Sequence, residues 1–184
     1  MFEELTAVDP AADESSLVER IAELEMLKSA AAAGQARAAA ALDAARRATE
    51  AATGVPAARR GRGVASEVAL ARRDSPARGG RHLGFAKALV HEMPHTLAAL
   101  ECGALSEWRA TLIVRESACL DVEDRRALDA EMCADPSSLS GMGDARVPRP
   151  RRRSPTGSIR TPSSSGRPRP RKTAPSPSAR RPTP

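Results

Sequence analysis

The chain has 184 residues, and its charges are divided unevenly between two segments. Residues 1–146 contain all 23 acidic residues and 18 of the 29 Lys and Arg, whereas residues 147–184 contain the other 11 basic residues and no acid. Only Phe2, Phe85 and Trp108 are aromatic, so a core must be built from aliphatic side chains and alanine, which favours packed helices over sheets. The three cysteines lack Cys-X-X-Cys spacing, and there is no apolar run of about 18 residues. We therefore expect a cytoplasmic protein with no signal peptide or membrane span.

A long first helix is predicted over residues 16–52. Ser16 and Glu19 have the spacing of a capping box. Three large apolar side chains follow at intervals of four and three residues: Leu17, Ile21 and Leu24. Beyond Lys28 the apolar positions are almost all alanine, so the helix can continue on propensity alone but presents only a shallow packing stripe. Residues 1–15, which precede the helix, are predicted to be disordered.

A bundle of five shorter helices is predicted over residues 64–135, after a mobile basic linker at 53–63. The predicted first residues or N-caps of these helices are Val64, Ser75, Pro94, Ser106 and Asp121. The helix after Ser106 has a broad apolar set that we expect to be largely buried, and this argues against a DNA-recognition helix there. That set contains Trp108, Leu112, Ile113, Val114 and Ala118. Because no segment alternates with period two, the predicted fold class is all-α.

Several sequence blocks between Glu67 and Glu131 resemble a known bacterial family. The matching residues are Ala86, Leu89, Met93, Pro94, Thr96, Ala99, Leu100, Gly103, Leu105, Trp108, Arg109, Ala110, Arg115, Glu116, Leu120, Asp124, Arg125 and Asp129. With these blocks the chain resembles the domain of unknown function 222, also met as the 13E12 repeat proteins. The resemblance implies the helical N-terminal region of proteins that usually end in an HNH endonuclease module. It implies no catalytic residue, because the shared region has no settled activity.

The resemblance ends after Gly141, Met142, Gly143 and Asp144, where further helices and the nuclease would normally follow. The tail at 147–184 has 10 Pro and 11 Lys and Arg among its 38 residues, and we predict that it is disordered. Codons rich in G and C give such a composition when they are read out of phase, so we interpret the tail as a frameshift product. The alternative is a genuine basic tail that binds nucleic acid through phosphates.

No catalytic, metal or cofactor site is predicted. An HNH nuclease needs a histidine that activates water and further His or Asn ligands for a divalent metal. The histidines here are His82, His91 and His95, and nothing after His95 could complete such a site. Pro94 should end or kink a helix between the second and third of them, so they need not share a face. A residual metal-dependent nuclease is therefore only a minor alternative.

Two functional surfaces are predicted instead. The main hypothesis is a non-catalytic helical module that binds DNA weakly and without sequence preference through basic segments. The residues assigned to this binding are Arg59, Arg60, Arg62, Arg149, Arg151, Arg152, Arg153, Arg167, Arg169, Arg171 and Lys172. The alternative is a helical protein-interaction or dimerisation module, in which Leu17, Ile21 and Leu24 form a short coiled contact that makes the chain a homo-oligomer.

Overall fold

The computed structural model describes residues 2–139, apart from the side chain of Ser138. Within this range every regular element is helical, which confirms the all-α prediction. The seven α-helices are α1 (Phe2–Thr6), α2 (Glu14–Ala52), α3 (Val64–Ala71), α4 (Pro76–His91), α5 (Pro94–Glu101), α6 (Glu107–Glu116) and α7 (Val122–Cys133). Three 3-10 helices lie at Ala57–Arg59, Ser117–Cys119 and Pro136–Leu139. The predictions for 147–184, disorder and frameshift included, fall outside the described residues.

Helix α2 begins two residues earlier than predicted, because Asp13 and not Ser16 is its N-cap. The Asp13 carboxylate accepts hydrogen bonds from the backbone N–H of Ser16 at 2.9 Å and from the hydroxyl of Ser15 at 3.0 Å. Hydrogen bonding from Ser16 has the largest effect, and together with the bond from Ser15 it lowers the pKa of Asp13 below its ordinary value. Ser16 therefore lies inside the first turn. The helix ends at Ala52, the predicted last residue.

Helical structure also occurs before Ser16, where the sequence predicts disorder. Helix α1 is a single turn, and such a short helix leaves its last carbonyl groups without partners in the helix. The guanidinium of Arg20 donates hydrogen bonds to the carbonyl oxygens of Glu4 and Leu5 at 3.1 and 3.2 Å. Arg20 thus holds α1 against α2 through a contact that spans 16 residues, which local sequence patterns do not indicate.

The core is built on the alanine stripe of α2. Its buried residues recur every three or four positions and lie on one face: Ser29, Ala32, Ala33, Ala36, Ala39, Ala40 and Asp43. Helices α4 and α5 pack against this face. The larger side chains of Leu89 in α4, Leu100 in α5 and Met93 between these helices are completely buried. The stripe that the sequence shows as shallow is therefore the surface on which the bundle assembles.

Helices α3 and α4 approach each other at Gly79. A Cβ atom at this position would lie 2.0 Å from the carbonyl oxygen of Ala65 and 2.7 Å from the Cβ of Ala69. Any side chain would therefore separate the two helices. Gly79 lowers the helix propensity of α4, but it is what allows the α3–α4 hairpin to close.

Asp129 on α7 caps the N-terminus of α5 from a distance of 33 or 34 residues. Its fully buried carboxylate accepts hydrogen bonds from the backbone N–H groups of His95 and Thr96 at 2.8 and 2.7 Å, and from the Thr96 hydroxyl at 2.6 Å. The N-cap residue itself, Met93, has no side-chain oxygen that could do this. The contact therefore replaces a local cap and fixes α7 on α5.

Trp108 contradicts the prediction that the apolar set of α6 is largely buried. Its side chain is 58% exposed, and the buried residues of the helix are Ala110 and Ile113. Because successive residues are rotated by about 100°, Trp108 lies about 160° away from Ala110, on the outer face. Because Trp108 is exposed, it gives no argument against DNA recognition by α6. The helix nevertheless offers no amide side chain for base edges and carries Glu107 and Glu116.

Two glycines in helix interiors should respond oppositely to alanine. At Gly34 of α2 an added Cβ meets no atom within 4 Å, so Gly34→Ala should stabilise the protein by about 0.5–1 kcal/mol through helix propensity. Gly79→Ala should destabilise it by about 1–3 kcal/mol, because the new atom overlaps the backbone of α3. Urea unfolding followed by circular dichroism measures both values. Equal signs for the two changes would contradict the packing described.

Candidate functional site

The first part of α2 extends beyond the core. Residues 14–28, which we call the α2 arm, precede the first buried residue, Ser29, and span about 22 Å. The predicted interaction residues all lie here. Leu17 and Ile21 are 38% and 67% exposed, and Leu24 is half-buried. The structure therefore presents Leu17, Ile21 and Leu24 on a helical segment without buried residues, which α1 contacts at Arg20 and Gly103 contacts at Met26.

The arm carries further exposed apolar side chains besides the predicted Leu17, Ile21 and Leu24. Val18 is 66% exposed, and Met26 and Leu27 are about half exposed at 47% and 50%. They lie outside the four-and-three spacing that selects Leu17, Ile21 and Leu24, so a search for periodicity passes over them. Clustered exposed apolar side chains on a small protein are typical of an interaction site.

The end of α3 contacts α2 on the side of Ile21. Gln35 follows Ile21 by 14 residues, which is two heptads, and so lies on the same helix face. The guanidinium of Arg72, at the end of α3, donates hydrogen bonds to Gln35 and, at 2.9 Å, to Glu107. Arg72 thus contacts the face that carries Leu17, Ile21 and Leu24 at Gln35, while Gln35 itself and Leu42 farther along remain exposed.

The basic connection at 53–63, for which the sequence predicts a mobile linker, makes specific hydrogen bonds. Gly61 has a positive φ of 76°, and its N–H donates to the Glu50 carboxylate at 2.6 Å. The guanidinium of Arg60 donates to the carbonyl of Val55 at 2.7 Å. Glutamate and carbonyl partners within the turn therefore fix its conformation, and Arg60 is half-buried rather than free for phosphate.

Arg59 and Arg62 are the members of the predicted DNA-binding set that the described chain presents to solvent. Both are exposed, and neither side chain forms a hydrogen bond or ion pair within residues 2–139. Most other cations of the body are paired: Arg46 with Glu67, Arg47 and Lys87 with Asp43, Arg72 with Glu107, and Arg78 with Asp74. The tail positions Arg149, Arg151, Arg152, Arg153, Arg167, Arg169, Arg171 and Lys172 lie outside the described residues.

Asp43 anchors the basic side chains below this turn. Its carboxylate is 5% exposed and contacts the Arg47 Nε at 2.8 Å and the Lys87 Nζ at 3.1 Å. Burial alone would raise the pKa of Asp43, but the hydrogen bonds and charges of Arg47 and Lys87 outweigh it and lower the pKa below its ordinary value. A Cβ at Gly61 would lie 2.8 Å from the Asp43 Oδ1, so the turn packs directly on this carboxylate.

The cysteines and histidines are not brought together. Among residues 2–139, no group of three or more His, Cys, Asp or Glu side chains has the geometry of a metal site. His91, His95 and Cys102 are separately exposed. Cys133 is buried, and this burial raises the pKa of its thiol, so it is not an activated nucleophile.

We found no protein-family model, curated protein or solved structure with significant similarity to this chain. The resemblance to the domain of unknown function 222 therefore stays a prediction. In the part of the chain that the structure describes, none of the helices combines the length and apolar character that a bilayer crossing requires.

The Asp43 contacts should make stability depend on acid. Because the pKa of Asp43 is lower in the folded than in the unfolded protein, its stabilisation is present above its ordinary pKa of about 4 and is lost as the pH falls through the folded-state value. Asp43→Asn should therefore cost about 1–2 kcal/mol at neutral pH and progressively less toward pH 3.

Urea unfolding at several pH values measures this difference. Glu19→Gln, which changes an exposed carboxylate on the arm, is the matched control and should differ little from wild type throughout. A difference between wild type and Asp43→Asn that is the same at pH 7 and pH 3 would contradict the assignment.

Proposed function

We propose that this protein is a non-catalytic helical interaction module that forms a homodimer through the α2 arm. The observation that carries the proposal is the arm itself, a helical segment with no buried residue and with Leu17, Ile21 and Leu24 along one side. Leaving this apolar surface in water is unfavourable, and pairing with another helix would remove it from water.

A second copy is the partner that the arm fits best. With Leu17 and Leu24 at heptad position d and Ile21 at position a, the arm has the β-branched a and leucine d pattern that favours parallel two-stranded pairing. In this register Arg20 is at position g and Glu25 at position e, so each Arg20 would face the Glu25 of the other copy. Charge complementarity therefore adds to the apolar match.

The expected dimer is weak. Complete burial of a large aliphatic side chain contributes about 1.5–3 kcal/mol, and the pair would contribute three such side chains from each copy. Leu17 and Leu24 are already partly covered in the monomer, so they gain less. Association itself costs about 4–15 kcal/mol. A Kd on the order of 10–100 µM follows for a contact this short.

Sedimentation equilibrium from low to high micromolar concentration should show a monomer–dimer equilibrium for the full chain. Ile21→Asp should make the protein monomeric without loss of helix, because Ile21 is 67% exposed and its change disturbs no core contact. Leu70→Asp, at a side chain 80% exposed on α3, is the matched control and should dimerise like wild type. A wild-type monomer at every concentration, or an unchanged dimer in Ile21→Asp, would overturn the proposal.

A charge exchange identifies the partner as a second copy in parallel register. Arg20→Glu should weaken the dimer because it places like charges opposite each other. The double variant Arg20→Glu with Glu25→Arg should restore it. Arg20 also caps α1, so restoration by the second change separates the loss of an intermolecular pair from the loss of that cap.

Sequence-independent DNA binding is the second candidate function. It is supported by Arg59 and Arg62, which are exposed and have no ion-pair partner among residues 2–139, and by a tail whose 11 Lys and Arg have no acidic neighbours in the sequence. Phosphate contacts release counterions, so the affinity should fall with salt by about 0.9 log units per contact and per log unit of salt.

The double variant Arg59→Gln with Arg62→Gln should reduce the slope of log K against log salt by about two for duplex DNA. Arg37→Gln, at a guanidinium that is paired with Glu101, serves as the control and should leave the slope nearly unchanged. Fluorescence anisotropy with a short duplex at several salt concentrations gives the slopes. An affinity that does not respond to salt would sink the candidate.

Membership of the domain of unknown function 222 is also retained as a proposal. Several residues that carry the resemblance make contacts that define the fold: Thr96 with Asp129, and Arg125 with Glu92 and the carbonyl of Ser117. Side chains that hold helices together favour a shared fold rather than a shared reaction. This supports a module without an active site, in agreement with the absence of any catalytic residue from the resemblance.

A further inference from the structure

A cavity of about 270 Å³ lies between α2, α3 and α4. Its walls are largely apolar and include Ala32, Ala36 and Ala39 of α2, Val68 of α3 and Phe85 of α4. The alanines bring the helix backbones together but do not fill the space between them and α3. For comparison, an apolar cavity of about 150 Å³ is large enough to hold benzene.

The charged groups at the rim of this cavity are already neutralised. Glu67 pairs with Arg46 at 3.0 Å, and Arg72 pairs with Glu107 at 2.9 Å. A charged ligand would lose its hydration without gaining a free counter-charge, which is unfavourable. The cavity therefore favours an uncharged molecule.

Two uncharged polar side chains line this rim, Gln35, whose carbonyl oxygen accepts from Arg72, and His82, which we consider as the contact for a ligand. The Nε2 of His82 lies 3.0 Å from the Asp74 Oδ2, and the Asp74 carboxylate also accepts from Arg78 at 3.0 Å. The His82 hydrogen bond, followed by that of Arg78, lowers the pKa of Asp74, so Asp74 is an acceptor and the histidine Nε2 is the donor. In a neutral imidazole this leaves Nδ1 as an acceptor.

We propose that this cavity binds a small, uncharged, mainly apolar molecule with one hydrogen-bond donor, of the size and chemistry of phenol or indole. The apolar body occupies the space beside Ala36 and Phe85, and its O–H or N–H donates to the Nδ1 of His82. The inference is independent of the proposed dimer, because the cavity does not include the α2 arm.

Titration of the full chain with phenol, benzene and benzoate, followed by NMR chemical shifts, tests the proposal. Phenol should bind more tightly than benzene, and the charged benzoate should not bind. Ala36→Leu should abolish phenol binding because the larger side chain occupies the cavity. Ala41→Leu, at an exposed α2 position outside the cavity, should bind phenol like wild type.

Two further variants keep the test decisive if Ala36→Leu overpacks the core. Ala38→Leu changes an exposed residue at the edge of the cavity, so it should weaken phenol binding while the fold is retained. His82→Phe should remove the preference for phenol over benzene. No binding of phenol or benzene to the wild type, or binding that is unchanged in both Ala36→Leu and Ala38→Leu, would overturn the assignment.

Discussion

The small size of the side chains on the inner face of α2 is the constraint on which the rest of the structure depends. With two phenylalanines and one tryptophan in the whole chain, the core cannot be filled by aromatic rings. It is formed instead by close approach of helix backbones, at the alanines of α2 and at Gly79 between α3 and α4. The same small side chains leave an unfilled cavity between α2, α3 and α4. Because the buried stripe starts only at Ser29, the first turns of the helix lie outside the core, with α1 held beside them by Arg20.

Helix boundaries could be predicted from most local signals, with the Asp13 cap of α2 as an exception. Ser106 and Asp121 cap α6 and α7 as expected, each accepting from the backbone N–H three residues on. The missed features depend on residues distant in sequence. Arg20 caps α1 across 16 residues, and Asp129 caps α5 from 33 or more residues away. The exposure of Trp108 was mispredicted for another reason. Its apolar character indicates burial, but its position around the helix places it on the outer face.

In both candidate surfaces the sequence shows which residues are present, whereas the fold decides which of them are accessible. The four-and-three spacing of Leu17, Ile21 and Leu24 is visible in the sequence, but the sequence does not show that the buried stripe of α2 starts only at Ser29 and leaves these residues outside the core. The basic residues are equally visible, but their partners are not. Arg60 is bound within its turn, and Arg47 and Lys87 share one buried carboxylate. Of the predicted DNA-binding residues between 2 and 139, Arg59 and Arg62 are the exposed ones. Composition thus counts charges correctly and overstates how many are free to meet a phosphate.

The two candidate functions would reinforce each other in one molecule. In a parallel pair of arms the cores of both copies extend from the same end of the contact. Arg59 and Arg62 follow the opposite end of α2 from the arm, so the pair would carry two such basic turns. Two linked sites bind a polyanion more tightly than either alone, because the second contact forms at high effective concentration. DNA would then strengthen a dimer that is weak in isolation. By linkage, if dimerisation favours DNA binding, DNA binding must favour dimerisation to the same extent.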